Sequence, residues 1–166
     1  MSGAAEHRVR IVAYRPEHRA AVRDLNIAWL QRHFSVEPRD ERELGDPAAY
    51  ILAKGGEIFM AELDGRVVGT CSLLREDNGA YELAKMAVDE SARGRGVGRA
   101  LAAAVIARAR AKGVGQLELF TNSLLVPAVQ LYRSLGFVDA PLHDSVYGRA
   151  NMRMVLDVSA PVQVAR

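Results

Sequence analysis

The pair Asp64-Gly65 separates two apolar-rich runs, Glu57–Leu63 and Arg66–Leu74, and it constrains the fold more than any other two residues. An Asp-Gly pair accepts the positive φ angles of a two-residue turn, so the flanking runs must pair as an antiparallel hairpin. Asn78-Gly79 marks another turn, before a strand at Tyr81–Val88. The pattern then changes. An alanine-rich helix is expected at Val97–Lys112, stopped by Gly113, followed by a strand at Gln116–Phe120, a helix at Val126–Leu135 ended by Gly136, and a last strand at Val146–Asp157. Upstream, Arg8–Tyr14 alternates as a strand, and Pro16 opens a helix that runs to about His33. Val36–Asp46 reads as a polar connection. Pro47 starts a short second helix through Ala53, which Gly55-Gly56 ends. Hairpins first and crossovers later make an α/β (α+β) domain: a mixed central sheet of about six or seven strands with helices on both faces. The reading gives one domain over residues 8–158, with tails at 1–7 and 159–166.

With 166 residues, one hydrophobic core is the natural outcome. No apolar run is long enough to span a bilayer, and the first ten residues lack the apolar segment of a secretory signal. The single cysteine, Cys71, has no partner for an internal disulfide and reads as an inert core thiol in a reducing cytoplasm. The net charge of +2 argues against nucleic-acid binding by bulk charge. The histidines show no metal-ligand spacing, so no metal is expected.

Charge is nevertheless uneven. Between Arg93 and Lys112 there are six basic residues and no acidic one. The segment Arg93–Gly98 reads RGRGVG and lies between a strand and the alanine-rich helix. Its glycines let the backbone approach a ligand and take positive φ. The helix start leaves amides without intrahelical acceptors, and the helix dipole favours an anion there. Arg93, Arg95 and Arg99 add charged donors. The segment is thus a cradle for a phosphate or pyrophosphate. It lacks the Lys-Ser/Thr pair of a Walker loop. It also departs from the dinucleotide fingerprint, because the third glycine position is Arg99.

ARGRGVGRAL at 92–101 resembles the [RQ]-x-x-G-x-[GA] signature of the GCN5-related N-acetyltransferases, with Arg93, Gly96 and Gly98 at the defining places. LYRSLGF at Leu131–Phe137 is similar to that family's C-terminal hallmark, and the resemblance runs from about Arg8 to Asp157. It implies transfer of an acetyl group from acetyl-CoA to a primary amine. The coenzyme's pyrophosphate would lie on Arg93, Gly94, Arg95, Gly96, Val97, Gly98 and Arg99. Its pantetheine arm would run beside the preceding strand at Met86, Ala87 and Val88, where an amide near Met86 or Ala87 would polarise the thioester carbonyl. Relatives place an asparagine where this chain has Leu125; Asn122, three residues earlier at the strand end, is the candidate substitute.

Amine acylation also needs a proton acceptor. Glu82 lies eleven residues before Arg93, matching the general-base position in the histone-acetylating branch, and simple alternation would put Glu82, Ala84, Met86 and Val88 on one face. Tyr132 occupies the resemblance's general-acid position. The acceptor is expected between the first helices and the last strand, against Trp29, Phe34, Tyr147 and Arg149. Aromatic rings with Arg149 and Arg153 would suit a small amine bearing a carboxylate. Other readings are a peptide or protein amine as acceptor, or a catalytically silent acyl-CoA-binding module. The resemblance leaves room for a homodimer, without residues that fix an interface.

Overall fold

The computed structural model describes residues 8–142 and 148–159. Among the described residues seven strands form one sheet: β1 (Arg10–Ala13), β2 (Glu57–Leu63), β3 (Arg66–Arg75), β4 (Tyr81–Val88), β5 (Gln116–Thr121), β6 (Val138–Ala140) and β7 (Met152–Asp157), in the order β1-β2-β3-β4-β5-β7-β6. Every neighbouring pair is antiparallel except β4 with β5. The helices are α1 (Arg19–His33), α2 (Pro38–Gly45), α3 (Val97–Ala111) and α4 (Val126–Ser134). The expected mixed sheet with helices on both faces is therefore present.

Each face has its own core. On one, Val97, Leu101 and Val105 of α3 and Tyr132 of α4 pack with Leu73, Leu83, Leu117 and Leu119 of the sheet. On the other, Val22 and Leu30 of α1, Leu44 of α2 and Ile51 pack with Ile58, Met60 and Leu74. The Asp64-Gly65 turn forms as expected, with φ of 53° and 75° and register Leu63↔Arg66.

Several boundaries differ from expectation. The polar stretch contains helix α2. Glu37 N–H donates to Asp40 Oδ2 at 2.9 Å, a side-chain cap that starts it, and Pro38 sits in its first turn. Only Asp40 and Leu44 of this helix are buried, so no apolar stripe announces it. The segment after Pro47 is a single wide π turn, Ala48–Leu52. A short three-residue strand, β6, follows Phe137, and β7 spans Met152–Asp157; Val146, the expected start of the last strand, lies outside the described residues.

Strand β4 also breaks the expected alternation. Thr70 pairs with Ala87 but Ser72 pairs with Ala84, so Lys85 and Met86 together oppose Cys71 in a β-bulge. Lys85 takes φ of 55°, an uncommon value for a residue with a side chain. The extra residue shifts parity. Glu82 and Ala84 lie on the α1/α2 face, whereas Met86 and Val88 pack into the α3/α4 core. The four residues do not share a face.

Gly69 of β3 lets α3 lie close to the sheet: a Cβ there would meet Val97 Cγ1 at 2.9 Å and Leu101 Cδ1 at 3.1 Å. Gly69→Ala is expected to cost about 1–3 kcal/mol through overpacking, read by calorimetry as a Tm lowered by roughly 2–4 °C per kcal/mol. An unchanged Tm would show that α3 does not need this close approach.

Candidate active site

Strands β4 and β5 pair in parallel only at Tyr81↔Leu117 and Glu82↔Glu118. Beyond that point β5 continues against β7 through Thr121↔Met152, while β4 continues against β3. The two strands part, so from Leu83 onward the edge of β4 that faced β5 has no strand partner among the described residues.

A cavity of about 120 Å³ lies at this parting. Leu83, Ala84, Lys85 and Met86 of β4 form one wall, and Phe120, Thr121 and Asn122 at the end of β5 form another. Ala128 and Tyr132 of α4 close one side. Asn26, Trp29, Leu30 and Phe34, with Asp40 and Leu44 of α2 and then Arg149, line the other. The fold thus brings Glu82, Met86, Asn122, Tyr132, Trp29, Phe34 and Arg149 to one cavity. Ala87 and Val88 follow on β4 but are not in its lining. Tyr147 lies outside the described residues.

The glycine-rich segment adopts the backbone expected of a cradle. Gly94 and Gly96 have φ of 75° and 77°, with open space where a Cβ would stand. Gly96 caps α3, and the first helical bond runs from Ala100 N–H to Gly96 O at 3.0 Å. The amides of Val97, Gly98 and Arg99 therefore have no carbonyl one turn back within the helix. Arg93, Arg95 and Arg99 are exposed. Arg93 lies 3.3 Å from Glu90, and Arg99 donates to Ser134 Oγ on α4 at 2.7 Å. A Cβ on Gly98 would stand 3.5 Å from Leu131 and 3.6 Å from Met86 Sδ, so this first turn abuts both β4 and α4. Amides at the helix start, two glycines without obstruction and a strand edge leading into the cavity together suit a diphosphate with a long thioester arm.

Glu82 is 3 % exposed, and its Oε2 has no hydrogen-bond partner. Burial is the main reason its pKa rises to about 8. Glu76 and Glu118 push it further up, while Lys85 and Arg39 pull it down. Glu82 is thus mostly protonated at neutral pH. Tyr132 is buried, edge-on to Phe137 at 6.0 Å. Burial first, then the Cys71 thiol, raises its pKa, so the phenol keeps its proton. Cys71 is a free, fully buried thiol pushed up to about 12 by burial, consistent with an inert core role.

The charged side chains at the Arg149 end of the cavity are already paired with one another. Arg149 reaches the cavity, but its guanidinium fork grips Asp40, with both bonds at 2.8 Å, and lies 3.4 Å from Glu37. Arg153 Nε donates to Glu118 at 2.8 Å. Asn122 gives its amide to Arg149 O at 2.7 Å and accepts from Leu124 N–H at 2.9 Å, so the side chain braces the segment carrying Arg149. Sequence reasoning does not single out Asp40, Glu43 or Lys85. The Glu37-Pro38-Arg39-Asp40 capping pattern is the available signal for Asp40; for Lys85 there is none, because its place depends on the bulge. Among the described residues no group of three or more His, Cys, Asp or Glu is placed to hold a metal ion, and no helix is long and apolar enough to cross a membrane.

The acetyltransferase (GNAT) family profile matches residues 20–137, and the chain belongs to that family. The chain is 37% identical over 97 residues to N-acetylaspartate synthetase of Danio rerio, a match covering 57% of this chain and 34% of that protein. It spans about a third of the length of such curated relatives. Its fold is that of a GNAT-family acetyltransferase from Staphylococcus aureus, with a TM-score of 0.80, 21% identity, and coverage of 91% of this chain and 99% of that one. It also matches yncA of Salmonella typhimurium, solved with its cofactor acetyl-CoA: TM-score 0.72, 20% identity, coverage of 95% and 98%.

The ionisation of Glu82 makes a thermodynamic prediction. The folded state holds this proton up to about pH 8, whereas the unfolded chain releases it near the ordinary value of 4.5. The stabilisation is therefore complete below pH 4.5 and is lost as pH rises to 8. Relative to Glu82→Gln, the wild type is expected to lose up to roughly 1.4 kcal/mol per pH unit across that window. Denaturant melts of both proteins from pH 4 to 9 measure it; parallel curves would mean that Glu82 titrates normally.

Proposed function

We propose that this protein transfers the acetyl group of acetyl-CoA directly to the primary amine of a small molecule. The observation that carries the reading is the parting of β4 from β5, which leads an unpaired strand edge from the glycine-rich start of α3 to a cavity holding both Glu82 and Tyr132. In this reading the amides of Gly96 to Arg99, with Arg93, Gly94 and Arg95, hold the coenzyme's diphosphate. The backbone of Met86, Ala87 and Val88 aligns its arm, with Asn122 at the far side. The thioester supplies an activated acetyl group.

Glu82 in its ionised form takes a proton from the amine, directly or through water, as nitrogen bonds to the carbonyl carbon. A β4 amide near the bulge supports the oxygen that gains charge. When the carbon–sulfur bond breaks, Tyr132 gives its proton to the departing thiolate; burial keeps that proton on the phenol at neutral pH. Trp29, Phe34 and the segment around Arg149 form the acceptor end. A small acceptor is supported by the modest cavity, about 120 Å³, enclosed by α1, α2 and α4. The relative named for N-acetylaspartate synthesis also fits a small amine. A reducing, cytoplasmic setting belongs to the same reading, supported by the buried free thiol of Cys71.

Tyr132→Phe is expected to lower kcat about tenfold or more with little change in acetyl-CoA affinity. Stopped assays of thiol release, paired with calorimetric titration of the coenzyme, separate the two quantities; an unchanged kcat removes Tyr132 from the reaction. The wild-type kcat/KM should rise with pH and level off above about 8, following Glu82 ionisation. Glu82→Gln should abolish that limb, and a retained limb with wild-type rates would take the base role away from Glu82.

A further inference from the structure

We infer that the acceptor is an amine carried on an apolar, aromatic-type body without a carboxylate, and that α2 enforces this choice. The inference rests on the transferase reading above and names its acceptor class. At the acceptor end, Trp29 and Phe34 present rings 5.9 Å apart and tilted by 47°, with Leu44 beside them in the lining. These walls suit a flat apolar group.

The cations near the site are already committed to carboxylates of the protein. Lys85 Nζ lies 2.6 Å from Glu43 Oε2, and Arg39 binds the same carboxylate. Arg149 holds Asp40 through both nitrogens of its fork, with Glu37 near, and Arg153 holds Glu118. Three of these acids, Glu37, Asp40 and Glu43, come from α2 and its cap. Asp40 is 1 % exposed. Burial works against the charges on Asp40 and Glu43, yet their cationic partners outweigh it and hold both carboxyls below their ordinary range.

A carboxylate on the acceptor would therefore have to open a buried ion pair and leave an acid of α2 unpaired. It would also enter beside Asp40 and, in the ionised form that accepts the amine proton, beside Glu82, where like charge is unfavourable. An amine without a carboxylate meets neither obstacle. The pairs thus act as negative selection on the acceptor, not as a clamp for it.

The decisive comparison is phenethylamine against phenylalanine, which differ by one carboxylate, with aspartate as a third acceptor. Acetyl-CoA turnover by the full chain should give kcat/KM at least about tenfold higher for phenethylamine than for either carboxylate-bearing amine. Asp40→Asn, which loosens the hold on Arg149 and can still cap α2, should narrow that ratio. Glu43→Gln should do the same by releasing Lys85, which guards against a misfolded Asp40 variant. Phenylalanine or aspartate preferred by the wild type overturns the inference while leaving the transferase reading intact. Coenzyme binding with no turnover of any of the three or of a pooled amine set overturns that reading and this inference with it.

Discussion

The structure depends on two parallel pairs and no more between β4 and β5. A longer ladder would have satisfied both strands and closed the sheet. Instead β5 is taken over by β7, and β4 is left with β3 on one side and open backbone on the other. Tyr132 of α4 and Met86 of β4 line the gap, and the start of α3 abuts Met86. The bulge at Lys85 belongs to the same device. It interrupts pairing with β3 opposite Cys71 and reverses side-chain parity within the strand. Before it, Glu82 points to the α1/α2 face; after it, Met86 points to the α3/α4 core. One strand therefore serves both sides of the cleft.

The polar chemistry is concentrated on the α1/α2 face. Parallel register sets Glu82 beside Glu118, and the neighbouring β7 supplies Arg153 to Glu118. Glu118 has a direct counter-charge, whereas Glu82 has an oxygen without a partner. The two carboxyls are adjacent in the sheet but differ in their partners. Burial without a direct ion pair keeps Glu82 protonated near neutrality. Such poise suits a group that must accept and release a proton.

The sheet, its mixed pairing and the cradle are legible in the sequence because each rests on a local signal. Asp64-Gly65 encodes its own turn, and Gly94 and Gly96 mark backbone that only glycine adopts easily. Pro16 and Gly113 likewise bound their helices close to where expected. What is not legible rests on nonlocal balance. Helix α2 hides because one of its two buried residues is a charge, Asp40, whose partner Arg149 lies more than a hundred positions away. The parity of β4 hides because alternation carries no mark of an inserted residue, and Lys85 is an ordinary lysine in sequence. Arg149 is recognisable as a wall of the acceptor end, but its commitment to Asp40 is not, since a guanidinium reads the same whether it faces a ligand or a buried acid. Strand β6 is too short for its pattern to stand out.

This division follows from how the two halves of the cleft are built. On the proposed donor side the groups available are main-chain amides at the start of α3 and the edge of β4 that parts from β5. What the sequence must supply there is conformational freedom, and glycine records it. On the proposed acceptor side the surface is made of side chains from α1, α2 and the segment before β7, held in place by ion pairs between elements far apart in the chain. A change in any one of these pairs alters the lining without disturbing the sheet or the cradle. In the reading proposed above, one scaffold keeps the donor site while the charge pairing around α2 sets the choice of acceptor.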